Sequence, residues 1–201
     1  GSIPGDETRD PAFGQPAWWI EIGLRERAQM LGYTVVSSTT VIATHLQEVA
    51  RRHADELLTR DATKDLIEDL KQTAPAVVEE LIPKVMKLAE VQQVLQMLLR
   101  EEVPIRQLAT ILETLGDYAD RTKDPVWLTE YVRHRLARTI CTRYRDPQGR
   151  LCVITLDPGM EDHVNAGIEH TDRGLFIRMQ PPSVDKVCEL IAAEVEKLAR
   201  T

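Results

Sequence analysis

The stretch Leu88–Tyr118, LAEVQQVLQMLLREEVPIRQLATILETLGDY, constrains the fold more than any other part of the sequence. Val91, Val94, Leu95, Leu98 and Leu99 recur at i, i+3, i+4, i+7 and i+8, which places them on one face of a helix. Pro104 has no amide hydrogen and a fixed φ, so it is poor inside that helix and well placed at the first position of the next. A second helix is therefore expected from Pro104, with Ile105, Leu108, Ile111, Leu112 and Leu115 on its apolar face and Gly116 at its end. A connection of only a few residues obliges the two helices to pack as neighbours around one core.

The flanking patterns divide the chain. Gly1–Gln15, rich in glycine, proline and charge, reads as an extended lead-in with turns, and its opening Gly1-Ser2 has the look of a cloning remnant on an excised piece of a larger protein. Ala17–Ile20 reads as a short strand, and Glu21–Leu31 as a helix that Gly32 can end. The β-branched Tyr33–Val36 is expected to be a strand, followed by a helix from Ser37 or Ser38 to about Leu58 that a serine hydroxyl caps. Between Arg60 and Thr139 only helices are expected, at Asp61–Gln72, at the hairpin and at Pro125–Thr139, punctuated by Pro75, Pro83, Pro104 and Pro125. Ile140–Tyr144 and Leu151–Leu156, joined by Asp146-Pro147-Gln148-Gly149, read as a β-hairpin. Helix at Asp157–Ala166, strand at Leu175–Met179 and helix at Pro182–Arg200 follow, the last burying Val184, Val187, Leu190, Ile191 and Val195. The expected architecture is α+β and multi-domain: a partial α/β unit (1–58), a helical domain (59–139) and a C-terminal α/β unit (140–201) that is itself cut short.

The chemistry of the side chains points away from catalysis. A net charge of -7 opposes general attraction to nucleic acid or anionic membrane. Cys141, Cys152 and Cys188 are odd in number, without a CxxC pair, and read as reduced thiols. No run approaches the roughly 20 apolar residues of a membrane-spanning helix, and no signal peptide precedes Ile3. His45 and His53 lie about 12 Å apart along one helix, too far to share an ion, so His45, Glu48 and His53 are read as a polar face and no metal or cofactor is expected. Glu79-Glu80 and Glu101-Glu102 are adjacent pairs that a helix points apart. The second helix of the hairpin presents Arg106, Gln107, Thr110 and Glu113, without the phosphate anchors of a DNA-reading helix. Ala119–Arg150 carries eight Lys or Arg against four Asp or Glu, an excess suited to an acidic partner.

The remaining feature is Phe13, held between Pro11 and Gly14. It is either folded against Trp18 and Trp19 or exposed as part of a binding surface, with Asp10 capping the turn or offering an acceptor to a partner. Residue types alone favour the packed role and leave function undecided.

Several ordered motifs carry a resemblance. DPAFG at Asp10–Gly14, GYTVV at Gly32–Val36, VIATHL at Val41–Leu46, VLQMLLREEVPIRQLATILETLGDYA at Val94–Ala119, and TKDP with LTEYVR within Thr122–Arg133 resemble the bacterial type III export-gate family, its flagellar branch above all. The likeness runs from Ile3 to about Ile140 and weakens afterwards. Gln15, Met97, Gln107 and Ala109 depart from the family pattern, where leucine, asparagine, aspartate and arginine are usual.

The resemblance implies a non-enzymatic receptor. It places the chain in the cytoplasmic region of an inner-membrane protein that assembles as a ring below the export channel, attached to the membrane only through a part not included here. In the flagellar branch a hydrophobic dimple receives export chaperones carrying their substrates, and Asp10, Phe13 and Thr44 match its aspartate, phenylalanine and threonine. Other export-apparatus proteins are implied as partners, and nucleic acid is not. Much of the dimple's first subdomain would precede Ile3, so this piece alone is expected to bind chaperones weakly or not at all, and its unpaired sheet edges invite non-native dimers. The alternatives are the virulence-secretion branch of the same family, binding chaperones or gatekeeper proteins, and a purely structural ring segment.

Overall fold

The computed structural model describes residues 3–171 and 174–199. Its centre is the hairpin: α6 (Leu88–Arg100) and α7 (Leu108–Tyr118) contribute Val91, Val94, Leu95, Leu98, Ile111, Leu112 and Leu115, all buried. Around them pack α4 (Arg60–Thr73), α5 (Pro75–Leu81), α8 (Pro125–Arg135) and α9 (Ala137–Arg143). Ile67, Val78, Leu81, Leu128, Val132 and Leu136 complete one apolar core.

Local chemistry sets the helix ends. Thr59 and Asp124 cap α4 and α8 through their side chains, and Pro75 and Pro125 occupy first-turn positions. The connection between α6 and α7 departs from expectation, because the second helix starts at Leu108 rather than at Pro104. Its cause lies at the end of α6. The amide of Val103 donates to Leu98 (2.9 Å) and that of Glu102 to Leu99 (2.9 Å), with Glu102 left-handed at φ 57°, a Schellman closure that seats Val103 in the core. That closure turns the chain and leaves 104–107 irregular. Gly116 does not end α7, which runs on until Tyr118 stacks on Tyr131 at 4.1 Å.

Before the central helices, β1 (Asp6–Arg9) pairs antiparallel with β2 (Pro16–Trp19), with Glu7 opposite Trp18. The polar sequence of β1 gave no apolar alternation by which to read a strand. A short 3-10 turn and α1 (Arg25–Met30) lead to Gly32, whose φ of 86° permits the reversal that follows the helix. Tyr33–Val36, expected as a strand, has no regular secondary structure and pairs with no strand among the described residues. β-branching favours an extended backbone, yet a strand also needs an edge to pair with. α2 (Ser38–Arg52) is capped by Ser37 as expected, but stops at Arg52 and resumes as the single turn α3 (Ala54–Leu57).

After the central helices the expected hairpin reduces to one bridge, Arg145 to Leu151, closed by a turn in which Gly149 has φ 80°. Ile140–Tyr144 is helical through Arg143 instead, because Ile140 packs on the central core and Thr142 Oγ1 donates back to the Arg138 carbonyl (2.7 Å). α10 (Pro158–Ala166) lies where expected, capped by Asp157. β3 (Ile168–Thr171) pairs with β4 (Gly174–Ile177), a hairpin of which only the second strand was legible. α11 (Pro181–Ala199) forms as expected, although Leu190, Ile191 and Val195 on its apolar side are exposed rather than buried. Arg200, the expected last helical residue, lies outside the described residues.

Candidate recognition site

The loop between β1 and β2 is built by one carboxylate. Asp10 Oδ1 accepts from the amides of Ala12 (2.9 Å) and Phe13 (2.8 Å), and the Asp10 carbonyl accepts from Gly14 (2.8 Å). Gly14, at φ 69°, lets the chain turn back so that the Asp10 amide reaches the Gln15 carbonyl (2.8 Å). The turn divides its two apolar residues. Ala12 is 3% exposed, whereas Phe13 is 62% exposed. Phe13 therefore stands outside any Trp18–Trp19 core, and both tryptophans are themselves half exposed. In this structure Phe13 is exposed, in contrast to the packed role that residue types favoured.

α2 grips this turn from beneath. Arg52 Nη2 donates to the Ala12 carbonyl (2.9 Å), and its Nε donates to Glu48 Oε1 (2.8 Å). Arg51 donates to both oxygens of Glu48, at 3.0 and 2.7 Å. Glu48 is thus a buried carboxylate held by two guanidinium groups, and the hydrogen bonds from Arg51 and then Arg52 bring its pKa down to about 2. Helical spacing puts Thr44, half-buried, on the same face of α2 as Glu48 and Arg52, one and two turns before them. Asp10 and Phe13 share one turn; Thr44 belongs to the helix face that supports it. Ile42 and Leu46, both 68% exposed, lie on the opposite side of α2.

The other polar candidates are accounted for separately. His53 Nδ1 lies 2.9 Å from Glu56 Oε1 on the surface, while His45 keeps Nδ1 shut away from solvent without a partner. Among the described residues no group of three His, Cys, Asp or Glu side chains is arranged to hold a metal ion. A concavity of about 320 Å³ opens between α5 and α7, lined by Val77, Leu81, Leu112, Glu80, Glu113 and Asp117. Gly116 leaves it open, since no atom lies within 4 Å of where a Cβ would stand. No pattern in the sequence signals that slot, and Glu48, expected on a polar face, forms an ionic clamp with Arg51 and Arg52 through its i, i+3 and i+4 spacing.

Known proteins match along the whole chain. The profile of the FHIPEP family covers residues 1–201. The flagellar biosynthesis protein FlhA of Bacillus subtilis is 40% identical over 197 residues, 98% of this chain and 29% of that protein. FlhA of Escherichia coli K12 is 45% identical over 161 residues, 80% of this chain and 23% of that protein. Among solved structures, the Chlamydia pneumoniae CdsV protein superposes with a TM-score of 0.81 at 27% identity, covering 93% of this chain and 54% of that one. Nonameric SctV-C of EPEC superposes with a TM-score of 0.73 at 25% identity, covering 96% and 59%. The chain thus spans under a third of the length of these two curated relatives. With a family profile matching every residue and FlhA relatives 40% and 45% identical over 98% and 80% of its length, the chain belongs to the FHIPEP family.

Proposed function

We propose that this chain is a docking element of a flagellar type III protein export gate, one that receives export chaperones with their substrates and takes part in a homo-oligomeric ring. In this reading Phe13 is the apolar anchor, Asp10 holds the turn that presents it, and Thr44 flanks the site from α2. The observation that carries it is the division within the turn: a small residue is buried and an aromatic ring is left standing in solvent by hydrogen bonds that fix the backbone. An aromatic presented on a rigid turn supplies large burial to a partner at little entropic cost.

The relatives support the wider setting. Structures similar to this one include a complex of Chlamydia pneumoniae CdsV with CdsO and the nonameric SctV-C ring. Higher identity to proteins named for flagellar biosynthesis favours the flagellar branch over the virulence one. No described helix is long and apolar enough to cross a membrane, and the proposed seat at the cytoplasmic face of the inner membrane rests on family membership. The proposed action is recognition without covalent chemistry.

Photo-crosslinking tests the site. With benzoylphenylalanine at position 13 of the complete cytoplasmic region, a substrate-loaded flagellar export chaperone is expected to crosslink, and the same label at Trp127 on α8 is not. Equal capture at both positions, or none at 13, contradicts the reading.

A further inference from the structure

We propose that Glu48, with the two arginines it holds, is a positioning residue that fixes the recognition turn relative to the end of α6. The inference rests on the recognition reading only for what the turn does, not for how it is held.

The ionic path is continuous. Arg52 joins Glu48 to the Ala12 carbonyl across 40 residues of sequence. On the other side, Arg51 Nη1 pairs with the carboxylate of Glu102, and Arg143 of α9 donates to the Glu102 carbonyl and lies 3.5 Å from its carboxylate. Glu102 occupies the left-handed position of the α6 closure, where glycine sits without steric cost. Glutamate supplies there what glycine lacks, a carboxylate, and Arg51 and Arg143 both use it. Ala12 and Ala28 are the only buried apolar residues before Leu58 among the described residues, and Phe13, Trp18, Trp19, Ile22, Met30, Ile42 and Leu46 are exposed. Among the described residues, Glu48, Arg51, Arg52 and Glu102 join the turn to the end of α6.

Such a device makes the separation between the turn and α9 sensitive to loss of either carboxylate. Spin labels at the exposed positions Gln15 and Arg138 report that separation by pulsed electron resonance. The expected result is a single narrow distance distribution in the parent chain and a broadened one in Glu48→Gln and in Glu102→Gln, the second being a partly exposed site where folding is not at risk. Affinity for a substrate-loaded flagellar export chaperone is expected to fall by roughly tenfold in both, the size of losing one charge-assisted hydrogen bond. Distributions in both variants that superpose on the parent's overturn the proposal. If Phe13→Ala leaves chaperone affinity unchanged, the recognition reading falls by itself, and the distance distributions alone then decide the positioning role.

Discussion

Substituting Asp10 separates two roles that its sequence position leaves open. In the structure one oxygen, Oδ1, accepts both turn amides, so removing it in Asp10→Ala deletes two hydrogen bonds, to Ala12 at 2.9 Å and Phe13 at 2.8 Å. At about 1 kcal/mol each, offset in part by solvation of the freed amides, the turn loses about 1–2 kcal/mol. That is a factor of about 5 to 30 in the ratio of formed to unformed turn, and affinity for a partner that needs it formed falls by up to that factor, in proportion to the fraction still formed. Asparagine keeps an oxygen in the same place, so Asp10→Asn is expected to hold the turn and to bind within about threefold of the parent. Amide hydrogen exchange reads the turn directly: Ala12 and Phe13 speed up in the alanine variant and stay protected in the asparagine variant. Calorimetric titration with a substrate-loaded flagellar export chaperone reads the consequence. The reasoning is refuted by unchanged exchange in Asp10→Ala, which would mean that the turn forms without the carboxylate. Loss of affinity in Asp10→Asn with protection intact also refutes it, since the charge would then be contacting the partner itself.

Further predictions concern stability. Leu112→Ala, in the fully buried face of α7, should cost about 2–5 kcal/mol in urea unfolding, and a cost below about 1 kcal/mol would contradict the packing described. Gly5→Ala would place a Cβ 2.6 Å from the Trp19 carbonyl oxygen, so it should disrupt the β1–β2 hairpin, seen as altered tryptophan emission; an unchanged spectrum would argue against that approach. Glu48 has a folded pKa of about 2 against an ordinary value of 4.5, so its stabilising contribution is present above about pH 4.5 and is lost as pH falls towards 2. Glu48→Gln should therefore flatten the acid limb of a stability profile in that window, and an unaltered limb would place the acid sensitivity elsewhere.

The central helices were legible because their signal is periodic and their burial follows it: Val91 to Leu98 and Leu108 to Leu115 are spaced as helix faces and are buried as such, and Leu99 is partly buried against them. Errors fell where tertiary packing outweighed local preference. Ile140 is β-branched and reads as strand, but the core at its side recruits it into α9. Tyr33–Val36 has strand composition and no described edge to pair with. The α6 closure was hidden because a glutamate, not a glycine, takes the left-handed position, and the reason is ionic contact with residues about 40 to 50 positions away. At the recognition site, the Asp-Pro-Ala-Phe-Gly motif predicted a turn, but not which of Ala12 and Phe13 it would bury. That depends on Oδ1 of Asp10 and on Arg52, whose partner lies 40 residues away.

The central claim is that Phe13 is presented to a partner rather than to the protein's own core, and comparing stability with affinity in Phe13→Ala tests it most directly. With 62% of the residue already exposed, truncation removes only a minor part of the roughly 1.5–3 kcal/mol that full burial of a phenylalanine gives, so stability should fall by at most about 1 kcal/mol. Affinity for a substrate-loaded flagellar export chaperone should fall by about 2 kcal/mol or more, roughly thirtyfold, as for a buried aromatic anchor at an interface. A stability loss of about 3 kcal/mol with affinity unchanged would contradict the account.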